Sequence, residues 1–209
     1  MIYSRCMSSH VVIMALAVAA YLLGSIPFGL LFVRWARNID VRRTGSGNIG
    51  ATNVRRAAGM LWGIATLVCD ALKGALPTYT ATVVLNPETI GAAPWVALAA
   101  ICGHMFPVYF KFKPSGKGVA TALGCFAVLS PPSCGIVLVV FLCLVIISRR
   151  MSAASIGSMA VLPVSIAILT GDPMSTLAAA LTAGLIILRH MENIQRLLNG
   201  EEPPIGKTR

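Results

Sequence analysis

The run VVIMALAVAAYLLGSIPFGLLFV, residues 11–33, carries no charge from end to end, and Arg34, Arg37, Arg42 and Arg43 follow it. A helix rises about 1.5 Å per residue, so about 20 apolar residues cross a hydrocarbon layer roughly 30 Å thick. The run exceeds that length and exceeds the apolar core of a secretory leader. It shows no cleavage pattern before the arginines, so it predicts a first membrane helix that is retained. Composition extends the reading to the whole chain: 56% of the residues are hydrophobic, 11% are charged and mean hydropathy is +0.80. Soluble domains carry roughly 25% charged residues. Inside a bilayer every backbone polar group must be bonded within the protein, which leaves helices or closed barrels. Long unbroken apolar runs choose helices over the two-residue alternation of a barrel strand.

Six more apolar runs follow, at residues 60–85, 92–110, 119–129, 134–148, 153–170 and 174–188. The fourth span, 119–129, covers only about half of a hydrocarbon core, so it reads as short or re-entrant. Charge supports seven. Arg34, Arg37, Arg42, Arg43, Arg55 and Arg56 fall in the first link, Lys111, Lys113 and Lys117 in the third, Arg149 and Arg150 in the fifth, and Arg189, Arg196, Lys207 and Arg209 at the end. The intervening links hold only Glu88 and Asp172, and Arg5 is the one cation left on the other side. Cytoplasmic links are rich in Lys and Arg, so an all-α bundle of seven transmembrane helices is expected, amino terminus outside and carboxyl terminus cytoplasmic. The net charge of +10 is thereby a matter of topology and calls for no nucleic acid. Residues 1–198 read as one membrane domain and 199–209 as a loose polar cytoplasmic tail. Six isolated cysteines, Cys6, Cys69, Cys102, Cys125, Cys134 and Cys143, read as small packing residues. No metal or cofactor is called for.

The polar residues gather in the basic links. Between Arg42-Arg43 and Arg55-Arg56 stand Ser46, Gly47, Asn48, Gly50, Thr52 and Asn53. Glycines let successive N–H groups turn toward an anion, and guanidinium forks match phosphate oxygens. Gly45, Gly47 and Gly50 also spell G-x-G-x-x-G, but a dinucleotide site needs a preceding strand and this one follows a lipid-spanning helix. In the third link Gly116, Lys117 and Gly118 open the short fourth helix, where free N–H groups attract anions. A Walker loop would place Ser or Thr after the lysine, and Gly118 stands there. His104 lies near the inner end of its span. Asp70 and Lys73, three apart on one helix face, read as a buried ion pair or as part of the site, since a lone charge near the bilayer centre costs about 3 kcal/mol. His190 and Asn193, also three apart, face one way at the inner end of the last span. Ser152 and Ser155, beside Arg149 and Arg150, are further candidates.

These blocks resemble the bacterial acyl-phosphate:glycerol-3-phosphate acyltransferases over nearly the whole chain. The resemblance rests on Ser46 to Asn53 with Arg56; on Asp70, Lys73, Gly74 and Pro77; on Gly103-His104 with Gly116 to Thr121; and on Arg189, His190, Asn193, Ile194, Arg196 and Leu197. The family's usual Phe-Lys-Gly-Gly-Lys-Gly is here Phe112-Lys113-Pro114-Ser115-Gly116-Lys117-Gly118, one residue longer. The resemblance implies an enzyme of the bacterial inner membrane, with its site at the cytoplasmic face. It would move a fatty acyl group from acyl phosphate to the 1-hydroxyl of glycerol 3-phosphate, giving lysophosphatidic acid and phosphate, the first step of phospholipid synthesis. The Ser46–Asn53 loop would take the acyl-phosphate headgroup, and Arg56, Lys117, His190 and Asn193 the glycerol 3-phosphate. A general base would be His190 or a substrate phosphate. A peripheral enzyme that makes acyl phosphate is an expected partner. None of His10, His104 and His190 is followed five positions on by Asp, so the His-x4-Asp pair of coenzyme A-dependent acyltransferases is missing. The competing class is a transporter of a phosphorylated metabolite, which would show inverted repeats and cations near the midplane. Here the cations cluster at one face and no repeat is visible.

Overall fold

The computed structural model describes residues 2–206, and among them there are helices and turns but no strand. The expectations placed on Lys207 and Arg209, and on the side chains of Arg5 and Cys6, fall outside that description. The helices are α1 (Ile2–Ser25), α2 (Phe28–Arg37), α3 (Ala51–Ala58), α4 (Met60–Val84), α5 (Ala93–Met105), α6 (Val119–Leu129), α7 (Pro131–Ser148), α8 (Met151–Thr170), α9 (Pro173–Leu188) and α10 (Met191–Leu198). Among the described residues five helical stretches are long and apolar enough to cross a bilayer, or six if α9 and α10, bent by 59°, are taken as one. At 11 residues, α6 is a shorter apolar helix.

The first span is not one straight rod. Pro27 has no N–H to give and crowds the preceding turn, so α1 stops at Ser25 and α2 starts at Phe28. The Ile26 carbonyl freed at this break accepts a hydrogen bond from the Lys73 ammonium at 2.8 Å. Lys73 in turn stands 2.8 Å from the Asp70 carboxylate, both fully enclosed. Two further departures have local causes. Pro131 and Pro132 do not lengthen an external link; they occupy the first turn of α7, where no helical N–H is needed. Residues 51–58, read as part of a loop, are the amphipathic helix α3, and 191–198, read as the inner end of the last span, are a separate helix α10.

Lipid offers no hydrophobic drive for helices to associate, so close contact depends on small residues. Central α5 buries Ala93, Val96, Ala97, Ala100, Ile101 and Met105. It meets α1 through reciprocal glycines: a side chain on Gly24 would strike the Ala100 carbonyl, and one on Gly103 the Tyr21 carbonyl. The same device joins α4 to α6, with Gly74 on the Thr121 carbonyl and Gly124 on the Ala71 carbonyl. A second cluster, Leu30, Val33, Val41, Ile49, Val54 and Ala58, holds the first basic link and α3 against α2.

Lys73→Met would take the ammonium away from the buried Asp70 carboxylate, leaving only His104 beside it at 3.6 Å, and would leave the Ile26 carbonyl with the Phe28 N–H alone. It is expected to cost about 3–5 kcal/mol, seen as a lower Tm in detergent, and Asp70→Asn added to it should recover part of the loss. An unchanged Tm would contradict the role of Lys73 at the Pro27 break.

Candidate active site

The four basic links meet at one cavity of about 320 Å³. Its polar wall is built largely from helix beginnings. Ala51 and Thr52 of α3, Val119 and Ala120 of α6, Met151 and Ser152 of α8 and Asn193 of α10 all line it, each in the first turn of its helix. First-turn N–H groups have no intrahelical acceptor and carry the positive end of the macrodipole, so four such ends around one space favour an anion. Arg55, Arg56, Lys117 and Arg196 add formal positive charge. Among the described residues no group of three His, Cys, Asp or Glu side chains gathers as metal ligands would.

Local chemistry explains how the first link turns. The Asn53 amide donates to the carbonyls of Val41, Thr44 and Asn48 at 3.1, 3.0 and 2.8 Å, and its oxygen accepts from the Ser46 N–H at 3.2 Å. Asn53 is thus committed to folding the loop, while Ser46, Asn48, Gly50 and Thr52 line the cavity beside it. The Asn48 side chain accepts from the Gly50 N–H at 2.8 Å and shapes the start of α3.

In the third link Gly118 has φ +82°, a left-handed conformation that suits glycine, and it turns the chain into α6. Lys117, just before it, hydrogen-bonds the Asn193 oxygen at 2.5 Å. The Gly116 carbonyl accepts from Arg189 Nε at 3.1 Å, which ties this loop to the end of α9. Burial pushes Lys117 down to about 8; Arg196 and Arg189 push the same way and Glu202 opposes them.

His190 lies in the break between α9 and α10. Its Nδ1 is 2.7 Å from the Ile186 carbonyl. A carbonyl accepts only from N–H, so Nδ1 carries the hydrogen and the neutral ring keeps its lone pair on Nε2. Burial first, and then Lys117, lower this histidine to about 4, so the ring is neutral near pH 7.

Of the expected residues, Ser46, Asn48, Gly50, Thr52, Asn53, Arg56, Asp70, His104, Lys117, Gly118, Ser152, Ser155, His190 and Asn193 line the cavity. Gly47, Lys73 and Gly116 stand behind the wall. The described part of the tail, residues 199–206, departs from the loose segment that the sequence suggested. Glu202 is 8% exposed and its carboxylate accepts from Ser152 Oγ, Asn193 Nδ2 and Arg196 Nε at 2.6, 2.7 and 2.6 Å. Burial raises its pKa, but these donors outweigh that and hold it below the usual glutamate value. Arg150 Nε donates to the Glu202 carbonyl at 3.1 Å and the Ile205 N–H to the Arg149 carbonyl at 2.7 Å, so the segment straps the cavity. A free polar tail would leave the buried donors of α8 and α10 unmatched.

Besides Glu202, the sequence reading missed Arg55 and Arg196 as cavity residues, and with them the apolar arm. Arg196 follows Asn193 by three, so the same helical-face argument reaches it. The arm is formed by Leu67, Leu123, Val137, Leu138, Phe141 and Met159. Leu67 and Leu138 are 47% and 44% exposed, so this arm reaches the lipid-facing surface. Fold and site together define a helical membrane protein whose cavity, lined by cations and helix starts, continues into an apolar groove.

Residues 14–200 match the sequence pattern described as Glycerol-3-phosphate acyltransferase. A glycerol-3-phosphate acyltransferase of Syntrophotalea carbinolica is 47% identical over 187 residues, 88% of this chain and 93% of the relative. That of Trichlorobacter lovleyi is 48% identical over 183 residues, 88% and 92% of the two chains. A crystal structure of PlsY, an integral membrane glycerol 3-phosphate acyltransferase in its glycerol 3-phosphate form, superposes with a TM-score of 0.88 at 38% identity, covering 93% of this chain and 96% of that one. Its lysophosphatidic acid form gives 0.84 at 38% identity, covering 93% and 95%. The chain belongs to the glycerol-3-phosphate acyltransferase family.

Lys117 is charged below about 8 and neutral above it. If its charged form holds a phosphate, affinity for a phosphomonoester should fall up to about tenfold per pH unit above that point. Lys117→Arg, charged throughout, should flatten this dependence. Calorimetric titration in detergent between pH 7 and 10 checks it, and a flat wild-type profile would contradict it.

Proposed function

We propose that this cavity transfers a fatty acyl group from acyl phosphate to the 1-hydroxyl of glycerol 3-phosphate, releasing lysophosphatidic acid and inorganic phosphate. The observation that carries the reading is the joining of two environments: four helix starts and four cations at one end, and an apolar arm reaching the lipid-facing surface at the other. A donor with a lipid tail and a phosphate head needs both, and the second phosphate needs the same cationic cradle.

In this reading Ser46, Asn48, Gly50 and Thr52 with the start of α3 receive the acyl-phosphate head, and Asn53 keeps their loop in shape. Arg56, Lys117 and Asn193 hold the phosphate of glycerol 3-phosphate, and Ser152 and Ser155 lie alongside. The 1-hydroxyl oxygen attacks the acyl carbonyl carbon and a new C–O ester bond forms. The bond from that carbon to the phosphate oxygen breaks, and its electron pair leaves with inorganic phosphate. The hydroxyl proton passes to a substrate phosphate or to His190 Nε2, whose lone pair is kept free by the Nδ1–H bond to Ile186 but whose low basicity favours the phosphate. Phosphate is already a good leaving group, so alignment and charge neutralisation supply much of the acceleration. No Ser–His–Asp or Cys–His nucleophile is required.

The reading also sets orientation. Counting α6 as a short span and α9 as a separate one gives seven, with the amino terminus outside. All four basic links then share the cytoplasmic side of the bacterial inner membrane, in agreement with the cavity that joins them. The 1-hydroxyl donor arrives from water, and a peripheral enzyme could deliver acyl phosphate at the same face.

Purified protein given acyl phosphate and labelled glycerol 3-phosphate is expected to form lysophosphatidic acid without coenzyme A. Product from acyl-coenzyme A alone would overturn the donor. Lys117→Ala and Arg56→Ala should each lower kcat/KM by at least about 100-fold while the protein keeps its Tm; near-wild-type kinetics would remove them from the site. His190→Ala should lower kcat more than it raises KM for glycerol 3-phosphate, and the reverse split would make it a binding residue.

A further inference from the structure

His104 is buried at the cavity wall with its two ring edges differently engaged. Nδ1 faces the Asp70 carboxylate at 3.6 Å, and Asp70 is held on its own helix by Lys73. The Nε2 edge lies so close to Gly116 that a single methyl group there would collide with Nε2 and Cδ2. On its other side Gly116 is gripped through its carbonyl by Arg189. One residue on, the chain reaches Lys117. The main chain that carries Lys117 is therefore clamped between a ring from α5 and a guanidinium from the end of α9. The loop's own hydrogen bonds to this region include the Ser115 N–H to the Met105 carbonyl at 3.0 Å.

From this geometry we infer that His104 is a positioning residue that sets the height of Lys117 through Gly116, with Asp70 and Lys73 orienting its ring from behind. The sequence reading left Asp70 and Lys73 as a buried ion pair or part of the site and named His104 as a candidate; in this inference all three act by supporting the group that binds, with Asp70 and His104 at the cavity wall. The inference rests on the reading of Lys117 as a holder of the glycerol 3-phosphate phosphate. It explains why an ion pair sits in α4 at this depth: the Asp70 carboxylate that captures Lys73 also faces the imidazole. Loss of about 1 Å in placement of a phosphate-holding group is enough to weaken binding strongly.

The test separates reach from polarity. His104→Ala should raise KM for glycerol 3-phosphate roughly 10-fold with kcat little changed. His104→Gln, long enough to touch Gly116, should restore most of the affinity, whereas His104→Asn, which reaches Asp70 only, should not. Because His104 acts through Lys117, adding His104→Ala to Lys117→Ala should lower the residual kcat/KM no further. If His104→Ala does not fold, the Gln and Asn variants carry the comparison. A wild-type KM in folded His104→Ala, rescue by Asn but not Gln, or full additivity in the double variant would overturn the inference. Were Lys117→Ala itself kinetically silent, both this inference and the reading of Lys117 would fall; a crippled Lys117→Ala beside a silent His104→Ala would sink this one alone.

Discussion

Unsatisfied N–H groups at helix beginnings organise this molecule. In lipid a helix bonds its backbone to itself everywhere except its ends, so the ends must lie in water, against protein or against a ligand. Here α3, α6, α8 and α10 all begin at one cavity. Their dipoles and the cations of the basic links act on the same space, in surroundings less polar than water, where each is worth more than on an exposed surface. The rest of the structure serves to bring those four beginnings together.

Two arrangements hold them. Reciprocal glycines let α1 close on α5 and α4 on α6 with backbone nearly in contact, so the starts of the shorter elements are placed by rigid helices. Polar ties then join the links to one another: Arg189 to Gly116, Lys117 to Asn193, Arg150 to the Glu202 carbonyl. Glu202 has a particular electrostatic role. A cavity with so many positive groups would repel itself when empty, and the one carboxylate shared by Ser152, Asn193 and Arg196 offsets that charge while orienting Asn193. Charge and orientation come from a single residue.

The apolar arm completes the functional logic. A soluble phosphate site would close around its ligand, but this one continues along Leu123, Val137 and Met159 toward residues that face the hydrocarbon. A lipid-tailed substrate can keep its chain in the arm while its head reaches the helix starts.

Sequence reading alone reached the helical membrane class, the bounds of α6 and, to within three residues, those of α4, α7, α8 and α9, whereas the single run 11–33 proved to be parts of two helices, α1 and α2. Apolar length and charge alternation are local properties that lipid enforces directly. It also marked most of the polar residues of the cavity, because asparagine, histidine and cations between apolar runs have few other uses. Tertiary structure alone decided three matters. The break at Pro27 is completed by Lys73, 47 residues away in sequence, and no local pattern announces a carbonyl's distant donor. Glu202 sits in a Pro-rich polar segment that reads as loose, and only the donor Ser152, 50 residues earlier, together with Asn193 and Arg196 makes its burial favourable. The apolar arm is built from residues indistinguishable in sequence from lipid-facing ones, since leucine against leucine and leucine against lipid are chemically the same contact. Which of them line a substrate path is settled by packing, the one property that a chain acquires only when its helices meet.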